Sequence, residues 1–100
     1  MDCDVWIVEK QTVQMLSVID HLQNILKIGL NSVFFTDANN GYIAGEKGTI
    51  LKTSDAGETW TLQTTGTPLA LNAVCFFNST NGYAAGYGAI LKTVNGGLSW

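Results

Sequence analysis

Four carboxylates lie in the middle of the sequence and are of the residue type that glycoside hydrolysis uses in pairs. They are Asp37, Glu46, Asp55 and Glu58. Hydrolysis of a glycosidic bond needs two carboxyl groups roughly 5 to 10 Å apart. Asp55 belongs to a turn motif that occupies its side chain, and no spacing argument brings two of the others together. We therefore expect no catalytic residue within this chain.

Metal chemistry has little support in the sequence. His21 is the only histidine, and no second histidine or cysteine lies at a spacing typical of metal ligands. We expect no metal site and no cofactor. The two cysteines, Cys3 and Cys75, are too few for a disulfide framework, and their separation says nothing about pairing. We interpret Cys75 as a small buried residue without a redox role.

Charge and hydropathy exclude two further classes of partner. Five lysines, no arginine and eight acidic residues give a net charge of −3 at pH 7. No basic surface is available to neutralise a phosphate backbone, so we expect no nucleic acid partner. No apolar run approaches the ~20 residues of a membrane-spanning helix. The N-terminal residues do not resemble a secretory signal.

The sequence contains an internal repeat. Residues 30–60 align with residues 71–100 with 16 identities in 30 positions and one deletion beside Gly88. Unrelated segments share about two or three identities over that length. The period of 40 to 41 residues is typical of propeller blades and other stacked units. A helical repeat needs a 3.6-residue apolar period, and none runs between Leu30 and Trp100.

Short β-prone runs separated by turn-forming residues make up each repeat. In the first copy they are Val33–Phe35, Tyr42–Ala44, Thr49–Leu51 and Trp60–Leu62. Four such runs per repeat predict a four-stranded antiparallel propeller blade. Asn39-Asn40-Gly41 and Thr80-Asn81-Gly82 offer residues that tolerate positive φ, as a tight hairpin requires.

Each repeat closes with a motif that resembles an Asp-box, Ser/Thr-x-Asp-x-Gly-x-Thr-Trp. The matching residues are Thr53, Asp55, Gly57, Thr59 and Trp60 in the first copy, and Thr93, Asn95, Gly97, Ser99 and Trp100 in the second. The short Asx side chain accepts backbone N–H groups of the turn, glycine supplies positive φ, and tryptophan anchors the turn on the blade. We interpret both motifs as structural turns, with a binding role as the alternative.

The combination of Leu-Asn-x-Val-x-Phe, Asn-Gly-Tyr-x-Ala-Gly, Gly-x-Ile-Leu-Lys-Thr and the closing tryptophan is similar to blades of the photosystem II stability/assembly factor family, built from bacterial neuraminidase repeats. The resemblance covers residues 30–100, in both copies. It implies an all-β, seven-bladed propeller of which this chain is a two-blade fragment. It also implies a non-catalytic scaffold for protein binding or complex assembly, and export of the full-length protein to the periplasm or cell exterior. The arginine patch with which photosynthetic members bind their partner has no counterpart, because the sequence contains no arginine.

An alternative function belongs to a different class. Asp-box repeats also occur in exported carbohydrate-active proteins, either sialidase-like enzymes and other glycoside hydrolases or their sugar-binding propellers, for which carbohydrate is the partner. A sialidase holds the sialic acid carboxylate with three arginines, and this chain cannot supply them. Arginines or paired carboxylates in blades outside this chain would distinguish the two functions.

We divide the chain into three segments. Residues 1–29 lack the blade pattern; Trp6 is compatible with the end of a preceding blade, and apolar residues spaced by three and four predict a helical insertion over Gln11–Lys27, ended by Gly29. An irregular or extended segment is the alternative. Residues 30–69 form the first blade, and residues 70–100 form a second blade without its last strand.

Five side chains are candidates for binding a partner. Lys52 and Lys92 occupy the same repeat position beside the Asp-box turns, where they either contact an anion or face solvent. Tyr42, Tyr83 and Tyr87 are candidate aromatic contacts for a protein partner if they are exposed. For the tyrosines, the alternative is packing between blades.

Overall fold

The computed structural model describes residues 22–24 and 27–100, which contain two antiparallel sheets. The first sheet consists of β1 (Leu30–Phe35), β2 (Gly41–Gly45), β3 (Ile50–Thr53) and β4 (Thr61–Gln63), with a 3-10 turn at Glu46–Gly48. The second consists of β5 (Ala73–Phe76), β6 (Gly82–Gly86) and β7 (Ala89–Thr93). Strands neighbouring in sequence are neighbours in each sheet, as in a propeller blade. The predicted all-β fold is confirmed.

Equivalent strands of the two sheets pair in the same register. Tyr42 is opposite Lys52 between β2 and β3, and Tyr83 is opposite Lys92 between β6 and β7. Directly opposite side chains on an antiparallel pair lie on the same face of the sheet. Each blade therefore carries a Tyr–Lys pair on one face, at the end where the Asp-box turn follows.

The hairpins between the first two strands of each blade differ from the prediction. No residue from Asn39 to Gly41 has positive φ. The turn is instead held by Asp37, whose Oδ1 accepts the backbone N–H groups of Asn39 and Asn40 at 2.8 Å each. Asn78 does the same in the second blade. An Asx side chain that satisfies two N–H groups removes the need for a left-handed turn.

Gly41 and Gly82 are required for close approach. A Cβ atom at Gly41 would lie 2.7 Å from the Phe35 ring, and one at Gly82 would lie 2.6 Å from the Phe76 ring. Real side chains do not tolerate contacts this short. Each glycine thus lets an aromatic ring lie flat across the start of the neighbouring strand.

The hydrophobic core lies between the two sheets. Its buried members are Phe34, Tyr42, Ala44, Ile50, Leu71, Val74, Cys75, Phe76 and Ala84. The first blade supplies four of them and the second supplies five, so the core is an interface between blades. Cys75 is buried as expected, and it is also disulfide-bonded, which the sequence did not predict.

The predicted helix over Gln11–Lys27 lies largely outside the described residues, as do Trp6 and His21. Residues 22–24 are helical. The N–H of Lys27 donates to the Gln23 carbonyl at 2.9 Å, and the Gln23 side chain accepts the N–H of Leu30 at 2.8 Å. Gln23 therefore connects this segment to β1. Within residues 22–24 and 27–100, no helix has the length and apolar character needed to cross a bilayer.

Candidate functional site

The first Asp-box turn is organised by two side chains. The Thr53 hydroxyl accepts the N–H of Gly57 at 2.9 Å and donates to Asp55 Oδ1 at 2.7 Å. Asp55 then accepts two hydrogen bonds from Thr59, one from its N–H at 2.9 Å and one from its hydroxyl at 2.5 Å. Trp60 Nε1 closes the turn by donating to the Gly57 carbonyl at 3.0 Å. All these bonds join residues at most four positions apart, so the turn is built from local sequence.

The second turn repeats this arrangement with an uncharged acceptor. Thr93 accepts the N–H of Gly97 at 2.9 Å, and Asn95 Oδ1 accepts the N–H of Ser99 at 3.0 Å. The Asn95 amide donates to the Ser99 hydroxyl at 2.9 Å. The buried Nε1 of Trp100 has no hydrogen-bond partner among the described residues, in contrast to Trp60.

The charge of Asp55 gives the first turn a dependence on pH. Hydrogen bonds from the Thr59 side chain, the Thr59 N–H and the Thr53 hydroxyl lower the pKa of Asp55 from 3.8 to about 2. A carboxyl group whose pKa is lower in the folded state binds protons more readily when unfolded. Its contribution to stability is thus complete above about pH 4 and is lost as the pH falls towards 2.

We expect Asp55→Asn to keep the turn and remove this part of the pH dependence. The amide oxygen can accept the same N–H, as Asn95 does in the second blade. The measurement is the urea midpoint of unfolding at intervals between pH 6 and pH 2. Asn95→Asp is the reciprocal variant, and it should make the urea midpoint fall more steeply at low pH. If the urea midpoints of the Asp55→Asn variant and the unmodified chain fall equally between pH 6 and pH 2, Asp55 is not the source of this pH dependence.

The two blades are joined by a pair of donors that converge on one carbonyl. The Tyr42 hydroxyl and Lys52 Nζ each donate to the Gly96 carbonyl oxygen at 2.8 Å. Both donors come from the first blade, and Gly96 lies in the Asp-box turn of the second. We call these three residues the interblade clamp. The second Asp-box is thus a structural turn that also serves as the acceptor for the preceding blade.

Aromatic packing accompanies the clamp. The Tyr42 ring stacks on Phe76 with centroids 4.0 Å apart and planes at 18°, and Phe76 meets Trp100 edge to face at 5.8 Å. Lys52 Nζ lies 5.6 Å from the Tyr42 ring centroid. Burial, with a smaller effect from the negative charge of Asp37, raises the pKa of Tyr42 to about 12. The phenol therefore stays protonated and donates at every physiological pH.

The five predicted binding residues do not share one surface. Tyr42 is buried between the blades and Lys52 is bonded to Gly96, so neither is free to contact a partner. Tyr83 is exposed, with Lys92 Nζ 5.8 Å from its ring centroid. Tyr87 lies in the turn between β6 and β7, at the opposite end of the blade from the Asp-box, and has the most exposed large hydrophobic side chain among residues 27–100.

Two clefts on the described blades are smaller than typical ligand pockets. A cleft beside Phe34 and Phe77 has a volume of about 150 Å³, and one beside Asp55 and Gln63 has about 260 Å³. Ligand pockets usually measure about 300 to 1,000 Å³. Across residues 22–24 and 27–100, no three His, Cys, Asp or Glu side chains are grouped so that they could hold a metal ion. Asp37 and Asp55 are both occupied by turn hydrogen bonds.

The fold and the repeated turns agree with comparisons to known proteins. A structure described as YCF48 bound to D1 peptide has a TM-score of 0.64 and 28% identity, and the match covers 73% of this chain and 25% of that one. YCF48 from Cyanidioschyzon merolae has a TM-score of 0.58 and 24% identity, covering 68% of this chain and 22% of that one. This chain thus spans about a quarter of the length of these proteins.

Comparison with protein-family models also identifies YCF48 as similar to this chain. No curated protein sequence matches the chain. The family model for photosynthesis system II assembly factor YCF48 matches residues 8–100, which is nearly the whole sequence. Together with the two Asp-box blades, this match shows that the chain belongs to the YCF48 family of photosystem II assembly factors.

Proposed function

We propose that this chain is part of a non-catalytic β-propeller scaffold that binds a protein partner during complex assembly. The observation that carries the proposal is the family match over residues 8–100, together with a related structure described as bound to a D1 peptide. That peptide belongs to the related protein. Its counterpart here is a peptide segment of a protein undergoing assembly.

The side chains of the two blades support binding rather than catalysis. Asp37 and Asp55 accept hydrogen bonds that hold turns, and both have lowered pKa values. A general acid needs a raised pKa near the working pH. The lysine of the first blade, Lys52, is bonded to a backbone carbonyl of the second. Asp37, Asp55 and Lys52 therefore stabilise the blades through hydrogen bonds to the backbone and to turn side chains.

We assign the partner contact to the end of the second blade that carries Tyr87. This side chain is 89% exposed, and the exposed Leu69 lies beside the backbone of the same turn. Tyrosine presents a large apolar ring and a polar hydroxyl with few rotatable bonds, which suits protein recognition. Tyr42 is buried, and Tyr83 lies on the face that the interblade clamp uses in the first blade. Tyr87 is therefore the most accessible of the three tyrosines.

A Tyr87→Ala substitution is expected to weaken partner binding about tenfold or more, the effect of removing an aromatic residue at the centre of an interface. The measurement is fluorescence anisotropy of a labelled synthetic D1 peptide titrated with the chain. Leu98→Ala is the matched control, because Leu98 is also highly exposed, at 78%, but lies in the Asp-box turn at the other end of the blade.

Two outcomes would overturn the proposal. If the unmodified chain leaves the anisotropy of the D1 peptide unchanged up to millimolar concentration, the blades do not carry the peptide site. If Tyr87→Ala and Leu98→Ala weaken binding equally, the site is not at the Tyr87 end. Binding of the chain to glycans but not to the peptide would instead favour the carbohydrate-binding alternative.

A further inference from the structure

Cys75 is buried on a face of the second sheet that is otherwise largely open. Side chains alternate along β5, so Cys75 lies on the opposite face from Phe76, whose ring stacks on Tyr42 of the first blade. Cys75 is directly opposite Tyr83, and Tyr83 is directly opposite Lys92. The three side chains therefore form one row across β5, β6 and β7, and this row points away from the first blade.

The covalent state of Cys75 identifies what covers it. Cys75 is 8% exposed, whereas Tyr83 beside it in the row is 39% exposed and Lys92 beyond it is also exposed. The cover is therefore confined to β5. Cys75 is disulfide-bonded, and the sequence contains one other cysteine, Cys3. A disulfide within this chain must therefore join Cys75 to Cys3, which ties the N-terminal segment (residues 1–21) to β5.

The N-terminal segment is long enough to reach this face. Its far end is fixed beside the first blade, where the Gln23 side chain accepts the N–H of Leu30. Cys3 lies twenty positions before Gln23. Twenty residues span up to about 65 Å when extended, and the longest dimension of the molecule is 32 Å. The segment can therefore cross to the second blade with enough chain left to form helical turns.

Charge favours the same arrangement. Asp2 and Asp4 flank Cys3 in the sequence. Lys92 lies two strands away from Cys75, about 10 Å across the sheet, and its ammonium group pairs with no carboxylate among the described residues. At that separation opposite charges still attract at physiological ionic strength. The acidic residues beside Cys3 are thus drawn to a face that carries a positive charge.

We propose that the face of β5 at Cys75 is the docking surface for the chain's own N-terminal segment, and that the Cys3–Cys75 disulfide is a reducible lock on this contact. A dithiol reductant opens the lock by giving two electrons and two protons to the S–S bond. Both cysteines become thiols, and the reductant becomes a disulfide. The segment is then released, and the Tyr83 ring beside Cys75 gains exposure. This inference is independent of the peptide contact proposed at Tyr87.

The pairing is tested by trypsin digestion of the unmodified chain, purified in air-equilibrated buffer and left unreduced. Trypsin cuts after Lys10, Lys52 and Lys92, so we expect one disulfide-linked species that contains residues 1–10 and 53–92. A dithiol should separate this species into two peptides whose summed mass is greater by two hydrogen atoms. Free thiols at both cysteines, or a Cys75–Cys75 link between two molecules, would overturn the proposal.

The docking is tested by the rate at which tetranitromethane nitrates each tyrosine, measured by peptide mass spectrometry. In a double variant, Cys3→Ala with Cys75→Ala, we expect the nitration rate of Tyr83 to rise towards that of Tyr87. Tyr87 is 89% exposed and is the matched control, whose rate should be the same in both chains. Cys3→Ala alone gives the same comparison if the double variant does not fold. Equal Tyr83 rates with and without the disulfide would show that the segment does not dock there.

The lock is tested by urea denaturation with and without a dithiol. Opening a native disulfide should raise the unfolding equilibrium constant of the unmodified chain about thirtyfold or more. The double variant is the control, and its urea midpoint should not respond to the dithiol. A dithiol that leaves the urea midpoint of the unmodified chain unchanged would overturn the proposal that the disulfide is a reducible lock.

Discussion

A Tyr42→Ala variant is expected to have a free energy of unfolding about 3 to 5 kcal/mol lower than that of the unmodified chain, the range for removing a large buried aromatic side chain. Three contacts are lost together. The ring no longer stacks on Phe76 at 4.0 Å, the hydroxyl no longer donates to Gly96, and Lys52 loses the ring beside its ammonium group. The measurement is urea denaturation followed by tryptophan fluorescence.

The second blade supplies the control for this experiment. Tyr83 has the same strand position and the same lysine neighbour, but it is exposed. We expect Tyr83→Ala to change the free energy of unfolding by less than about 1 kcal/mol, as surface substitutions usually do. Tyr42→Phe removes the hydroxyl and keeps the ring, and it should lower the free energy of unfolding by about 1 to 2 kcal/mol. Equal losses for Tyr42→Ala and Tyr83→Ala would show that the clamp does not hold the blades together.

Gly48→Ala is expected to destabilise the chain by about 4 kcal/mol or more, which is exceptional for one methyl group. Gly48 has φ of 68°, a conformation that costs an alanine roughly 1 to 2 kcal/mol. Its added Cβ would also overlap the Thr67 carbonyl oxygen in the connection between the blades. Since that contact is with backbone, relief requires moving the connection, and Thr65 loses its 2.7 Å hydrogen bond to the Gly48 carbonyl. The measurement is again the urea midpoint.

The Gly66→Ala variant distinguishes the energetic cost of a left-handed backbone from the cost of steric overlap at the added Cβ atom. Gly66 has φ of 75°, close to that of Gly48, but a Cβ there meets no atom within 4 Å. It should therefore cost only the roughly 1 to 2 kcal/mol of the left-handed conformation. If the two alanine variants unfold at the same urea concentration, the packing of the 3-10 turn against the blade connection contributes nothing to stability.

Much of the local structure was predictable, because the interactions that form it are short in sequence. The repeat indicated two blades, and the strand runs it predicted correspond to β1 to β4 of the first sheet. The hydrogen bonds of Thr53 and Asp55 all lie within four residues, so the Asp-box spacing describes them completely. The predicted left-handed hairpin turn is wrong because the Asp37 side chain satisfies the turn N–H groups without positive φ.

The repeat, the strands and the Asp-box turns can therefore be inferred from the amino-acid sequence, since each depends on residues close together in the chain. Which of the two Tyr–Lys pairs is buried and functions as a clamp depends instead on how the blades pack. Tyr42 and Gly96 are 54 positions apart, and nothing in the pattern Asn-Gly-Tyr-x-Ala-Gly, which both blades contain, identifies their contact. Burial depends on what packs against a face, and in a propeller that is the neighbouring blade. For this reason Tyr42 is inaccessible while Tyr83, its repeat equivalent, remains exposed.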